Sequence, residues 1–402
     1  MLMHWASINA LLDAGHEVTF VSMPWDQPPR EDRVAALRDL GVDVVVLPPP
    51  PSTSDGVGRW QARARYGRSL VWPDDAALFP ALGSAGDLSR TIAEVAPDVL
   101  LADGVSAVTA AHRLAVPKLA FIGDPPGYSR RERLRWDPTH PRGLSREAVL
   151  YHLGTRTYAL RADQRLLAML RRYDSVGIFG AHRAEWARGH GIRAWYVRSP
   201  IVDAVGSSWE ERRRELGPNP KPRILLIGHL KGIATISGLH VFVTDVLPEL
   251  TAGLGPDGFD VEVVGAHDPP EALRPALDAH PAVHLRGHVE PPDEEFLRAD
   301  VVLVSTPIET GPRVRILSAF SYGCCVVAHE ANRLGIPQLV HGENVLLADT
   351  DGLARETLRA LADPELRARL GRRGRELYES EFTPAKAGAT IVRELERLAV
   401  AS

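Results

Sequence analysis

TPIETGPRVRILSAFSYGCCVVAHE, residues 306–330, decides the fold. The apolar run 301–305 before it reads as a buried strand that stops at Pro307. Gly311 and Pro312 follow, and the apolar spacing predicts a helix over 313–322, with Pro312 suited to its first turn. Gly323 breaks that helix, and 324–328 reads as the next strand. Strand, glycine-containing loop, helix and strand make one βαβ unit. Such a loop brings a helix N-terminus, with bare amides and the positive end of its dipole, to the carboxyl edge of a sheet. A diphosphate binds well there. A side chain at position 311 would hold the phosphate off the backbone, so Gly311 suits the task. Arg313 and Arg315 sit in the first turn, where a cation opposes the dipole. They read either as surface arginines of an ordinary loop or as forks for a bound anion.

The alternation continues outward along all 402 residues. Strand-like runs lie at 17–24, 42–47, 98–103, 117–124, 175–179 and 194–197, then at 224–227, 261–264, 283–285, 301–305, 324–328 and 345–347. Amphipathic runs between them include 32–40, 88–95, 146–171, 238–250, 271–278, 293–298 and 353–362. The strands are apolar without clean alternation, as when both sheet faces are covered. The fold class is therefore α/β, with two Rossmann-like, doubly wound parallel sheets facing across a cleft. Residues 1–200 read as one domain, 201–223 as a Pro- and Gly-containing linker, and 224–382 as a second domain. The helix 383–402 is expected to pack back toward the first domain. At the start, Ile8, Leu11 and Leu12 share a helix face and Gly15 ends it. That helix enters the strand 17–23 as though a first strand and its turn had preceded it, so an upstream start or a truncated chain is expected.

Composition removes several classes. The chain is 45% hydrophobic and 24% charged, within the range of globular proteins. Its net charge of −4 argues against nucleic acid as a partner. No unbroken apolar run approaches the ~20 residues of a membrane span. The only cysteines, Cys324 and Cys325, are adjacent and ill placed for an ordinary disulfide, which fits a reducing cytoplasm. Four of the 47 basic residues are lysines, an arginine bias read as a GC-rich genome. The stretch 128–142, with Arg130, Arg131, Arg133, Arg135 and Trp136, reads as a solvated or mobile loop, the other reading being a dock for an anionic ligand or a membrane surface.

A literal G-x-G-x-x-G occurs at Gly253, Gly255 and Gly258, but it precedes a strand where a dinucleotide fingerprint must follow one. It reads as a helix-to-strand turn. No P-loop, H-E-x-x-H, G-x-S-x-G or paired Cys/His spacing for a metal is present.

The segment 306–330 resembles the C-terminal signature of retaining GT-B glycosyltransferases of family 4. Pro307, Gly311, Arg313, Leu317, Ala319, Gly323, Val326, Val327 and Ala328 match it, and Arg315 takes the place of its lysine. DAGHEVTFV at 13–21, ILLIGHLKG at 224–232, VHLRGHVEPPDEEFLRADVVLVST at 283–306 and GENVLLADTDG at 342–352 resemble further blocks of the family. Two positions depart. The glutamate that usually holds the donor ribose falls on Ser318, and the preceding motif acid falls on Thr310.

The resemblance implies a nucleoside-diphosphate sugar as donor substrate, no separate cofactor, and a small-molecule acceptor. Domain 224–382 would then bind the nucleotide and 1–200 form the acceptor side. Amides around Gly311 and Pro312, with Lys231 and Arg315 as cationic aid, are candidates to stabilise the leaving diphosphate, and Arg313, Thr310 and Ser318 are further donor-binding candidates. Gly228 and His229 belong to the phosphate loop after strand 224–227. His288 and Val289 are candidates for contact with the base. Glu309 is the candidate for hydroxyls of the donor sugar, and Asp124, ending strand 117–124, is the candidate acid from the first domain. Specialised metabolism is the expected setting. Two alternatives stand beside the transferase: a non-catalytic GT-B protein that binds or activates a partner, and a sugar-nucleotide epimerase.

Overall fold

The computed structural model describes residues 2–23, 29–48, 75–138, 143, 145–311 and 313–400. These fall into two compact units. The N-terminal unit comprises Ser7–Leu134, Pro141–Val197 and Gly388–Ser402, and the C-terminal unit comprises Met1–Ala6, Arg135–His140 and Arg198–Ala387.

The N-terminal unit holds a two-stranded parallel sheet of β1 (Thr19–Ser22) and β2 (Asp43–Val46). It also holds a four-stranded parallel sheet of β3 (Leu100–Asp103), β4 (Lys118–Ile122), β5 (Ser175–Ile178) and β6 (Ala194–Tyr196), in that order. Helix Ala85–Val95 covers it with Leu88, Thr91 and Ile92, one face at i, i+3 and i+4. Helix Arg146–Leu170 begins at Ser145, whose hydroxyl accepts from the Ala148 amide at 3.1 Å. Its buried Ala162, Leu166 and Leu170 join the same core.

The C-terminal unit is built on six parallel strands: β7 (Arg223–Ile227), β8 (Asp260–Val264), β9 (Val283–Gly287), β10 (Val301–Val304), β11 (Val326–His329) and β12 (Leu346–Ala348). Their order is β12-β11-β10-β7-β8-β9. Pleating sends alternate side chains to opposite faces, and each face has its own core. Val301 and Leu303 join one cluster, Val302 and Val304 the other. Cys325 and Cys324 divide the same way, so the adjacent thiols remain free.

The helical stretch Ile233–Leu254 is long and apolar enough to cross a bilayer, although no single apolar run in the sequence suggested it; 61% of its most apolar window is buried within the fold. It widens to π geometry over Phe242–Val246, just before Pro248. Proline lacks the amide and crowds the carbonyl four residues back, which gives a physical reason for the widening. The G-x-G-x-x-G stretch is a helix-to-strand turn: helix Leu247–Leu254 ends, Gly255 takes φ +80°, and β8 follows.

Residues 201–223 contain helix Trp209–Glu215 and lie inside the C-terminal unit. Asp203 and the buried Arg375 form an ion pair there at 2.5 Å. Helix Pro364–Glu381 starts on Asp363, whose carboxylate accepts from the Leu366 amide at 2.9 Å, with Pro364 at its first position. The terminal helix Pro384–Val400 enters the N-terminal unit from Gly388 onward.

Candidate functional site

The strand order of the C-terminal unit reverses between β7 and β10. From β7 the chain builds β8 and β9 on one side, then returns to place β10 on the other, with Val301 opposite Ile224 and Val302 opposite Leu225. Loops leaving neighbouring strands there diverge and open a crevice at their carboxyl ends. The loop after β7 leads through Gly228 to Gly232 into helix Ile233–Val241. The loop after β10 leads through Ser305 to Arg313 into helix Val314–Ser321. Two helix N-termini thus stand side by side.

Their first turns touch. Arg315 Nη2 donates to Thr235 Oγ1 at 2.9 Å. Burial pushes the Arg315 guanidinium down to about 10, which leaves it charged at neutral pH. That partner is a neutral hydroxyl, and no carboxylate pairs with Arg315 among the described residues. An enclosed cation without a counter-ion is costly unless an anion arrives. A small cavity beside it is lined by Ile227, Thr235, Gly238, Ser305, Thr306 and Arg315.

The backbone around this point is close-packed. A Cβ at Gly228 would lie 2.7 Å from Thr235 Oγ1 and 3.0 Å from Arg315 Nη2. A Cβ at Gly265 would lie 1.8 Å from the Gly228 carbonyl oxygen. Glycine at 265 lets the loop after β8 approach the loop after β7, and glycine at 228 leaves room for Thr235 and Arg315. Ser305 and Thr306 donate to the Gly238 and Ala234 carbonyls at 2.7 and 2.8 Å, which fixes the start of the β10 loop.

Gly311 has φ +66°, a left-handed turn that favours glycine. Pro312 lies outside the described residues. Arg313 is also left-handed, at φ +53°, and caps the helix. Its buried side chain turns back on its own loop: Nη1 donates to Thr310 Oγ1 at 3.4 Å and Nη2 to the Ile308 carbonyl. Arg313 and Arg315, two residues apart, thus have different surroundings. Thr310 is buried under Arg313, and Glu309 is half-buried beside it. Ser318 lies one turn beyond Val314, and its hydroxyl has no hydrogen bond among the described residues.

Lys231 and His229 are exposed on the β7 loop, and the His229 ring meets His267 edge-on at 4.8 Å. His267 follows β8 at φ +70°. His288 is exposed and 3.2 Å from Glu290, whereas Val289 packs its side chain on the core and leaves only backbone groups for a ligand. In the N-terminal unit, Asp124 is 3.3 Å from Arg183 Nε, and Arg183 lies 3.7 Å over the Tyr128 ring. The stretch 128–142 is helical as far as Trp136, with Arg130 over Tyr158 and Arg131 beside Asp163; residues 139–142 lie outside the described set.

Sequence reasoning missed Thr235, Gly265, His267 and Asn332. Asn332 is fully buried, donates to the His329 and Thr306 carbonyls at 2.6 and 3.4 Å, and has an unpartnered Oδ1. A hydroxyl residue three positions past Gly232 was the available signal for Thr235. Nothing local marks the others.

The model of the family Glycosyl transferases group 1 matches residues 221–363. Those residues are a glycosyltransferase domain of that family. Over nearly the whole chain the fold is that of GT-B structures. Sucrose-phosphate synthase from Thermosynechococcus elongatus superposes with TM-score 0.69 at 15% identity, over 98% of this chain and 92% of that one. A glycosyltransferase from Rickettsia africae superposes with TM-score 0.64 at 11% identity, over 99% and 95%. Anabaena HepE in complex with UDP-glucose gives 0.62 at 13% identity, over 95% and 99%. No curated protein matches the sequence.

Proposed function

We propose that the protein transfers a sugar, with retention at the anomeric carbon, from a nucleoside-diphosphate sugar to a small acceptor. The observation that carries this reading is Arg315: an enclosed guanidinium without a carboxylate, held by Thr235 where two helices begin at the β7/β10 switch point. Bond cleavage in such a donor leaves charge on the diphosphate, and preorganised positive groups lower that barrier most where water is excluded. The amides of Val314 and Arg315, Gly311 and the Arg315 fork would meet the phosphates, with Lys231 reaching from the β7 loop. Arg313 would keep the β10 loop in shape. Glu309 would take hydroxyls of the donor sugar, His288 and the Val289 backbone the base, and Asp124 would serve the acceptor side. An acceptor attacking on the face from which the diphosphate leaves would pass its proton to that diphosphate, so no side-chain nucleophile is required. HepE, of the same fold, is solved with UDP-glucose, which supports a UDP-sugar as the first donor to try. The nucleotide-sugar is substrate and not cofactor in this account, and the free cysteines support a cytoplasmic setting.

A panel of nucleoside diphosphates and their sugars in a thermal-shift assay tests the donor assignment. At a hundredfold excess over Kd, binding stabilises by roughly 2.7 kcal/mol. No shift with any member would contradict it. One observation favours a second reading, a non-catalytic binding protein: Thr310 and Ser318 are uncharged where the family pattern has acids. Nucleoside diphosphate released from a bound donor distinguishes the two, since only an enzyme releases it.

A further inference from the structure

A cleft of the C-terminal unit lies at the edge of the sheet opposite the donor loops. It occupies about 640 Å³, within the size range of small-molecule sites. Asn219, Asp300 and Cys325 line it just before β7, β10 and β11 begin, whereas the donor loops leave where β7 and β10 end. Helix Val314–Ser321 separates the two places: its first turn holds Arg315, and the residue after its C-cap, Gly323, forms part of the cleft wall.

The cleft has excess positive charge. Asp300 is occupied, accepting from Asn219 Nδ2 at 3.0 Å and the Arg223 amide at 2.9 Å, with Arg367 at 3.5 Å. Arg298 is paired with Glu294. Arg213 donates to the carbonyls of Phe296, Ala299 and Tyr322 and to Cys324 Sγ, with no carboxylate, and its buried Nε has no partner. Arg214 and Arg372 are exposed and carry neither ion pair nor hydrogen bond among the described residues. Against these three cations stands the unpaired Glu210. Trp209 supplies an apolar wall, seated so closely on Gly323 that a Cβ there would lie 2.3 Å from its ring.

We propose that this cleft is a second ligand site, one that takes an organic phosphate with its phosphate on Arg214 and Arg372 and its apolar part against Trp209. Arginine forks match phosphate oxygens, and an indole wall suits a ring. The site is independent of the donor reading, because the two edges share no side chain.

The probe is phenyl phosphate, titrated calorimetrically into the full chain with UDP present in excess. Wild type binds it. R214Q/R372Q, which removes two exposed and unpaired side chains, weakens it about tenfold or more. R315Q leaves it unchanged. No binding at millimolar probe overturns the proposal. So does equal binding by R214Q/R372Q and wild type, and so does loss of binding in R315Q, which would place the probe at the donor loop.

Discussion

Arg315 and Arg313 stand two apart in sequence and meet different surroundings. Arg313 hydrogen-bonds its own loop; Arg315 reaches across to Thr235, 80 residues away in sequence. Substitutions at the two positions therefore carry different losses. R315Q removes a charge-assisted contact worth about 1.5–3 kcal/mol, so UDP binding measured by calorimetry weakens roughly 10- to 100-fold while the melting temperature changes little. R315K retains part of that affinity. R313Q lowers the melting temperature as well, because it leaves loop acceptors buried without their donor. Ser318 offers a gain-of-function counterpart. If its position is the one that meets the donor ribose, S318E tightens UDP binding by roughly tenfold. The sequence pointed to Gly311 and to both arginines, because a helix start after a glycine is a local signal. The family resemblance favoured Arg315 for the diphosphate, but the Arg315–Thr235 contact and the turn of Arg313 onto its own loop were not legible, because both depend on the folded loops.

At the scale of elements, helix Pro364–Glu381 lies against the end of helix Val314–Ser321 without room for a methyl group. A Cβ at Gly371 would sit 2.3 Å from the Gly323 carbonyl oxygen, and one at Gly374 would sit 2.4 Å from the Phe320 ring. G371A should cost about 1–3 kcal/mol, since backbone cannot swing away as a side chain can. G189A, where nothing lies within 4 Å, serves as control and should be neutral to slightly stabilising. Chemical denaturation of both variants checks this; equal stability would contradict the packing argument. Strands such as β10 were legible because both faces are covered and the run is uniformly apolar. Helix Trp209–Glu215 was not. It buries no residue fully and is mostly charged, and the Gly-Pro-Asn-Pro run after it reads as a linker. What orders it is distant: Trp209 on Gly323, and Arg213 on carbonyls some 80 to 110 residues away.

At the scale of the whole molecule, Asp203 ties 201–223 to the C-terminal helices. Burial raises its carboxyl, but the Arg375 fork and the amides of Gly206 and Val205 outweigh this and hold it below the usual carboxylate value. A depressed carboxyl stabilises the fold at pH values above its unfolded pKa and loses that contribution as pH falls through the folded value. The melting temperature should therefore fall steadily below about pH 4, and D203N should flatten that acid limb while lowering stability at pH 7. A limb unchanged in D203N would assign acid sensitivity to other carboxylates. The alternation of twelve apolar runs with helices made parallel sheets legible. β1 and β2 form a separate sheet and β3 to β6 follow in sequence, so the expected doubly wound order is found among the six C-terminal strands. The donor assignment rests on the β7/β10 reversal within that order. A crystal structure with bound UDP tests it most directly. The diphosphate is expected at the first turns of helices Ile233–Val241 and Val314–Ser321, with Arg315 Nη atoms within hydrogen-bond reach of its oxygens. A diphosphate bound elsewhere, with Arg315 still on Thr235 alone, would contradict it.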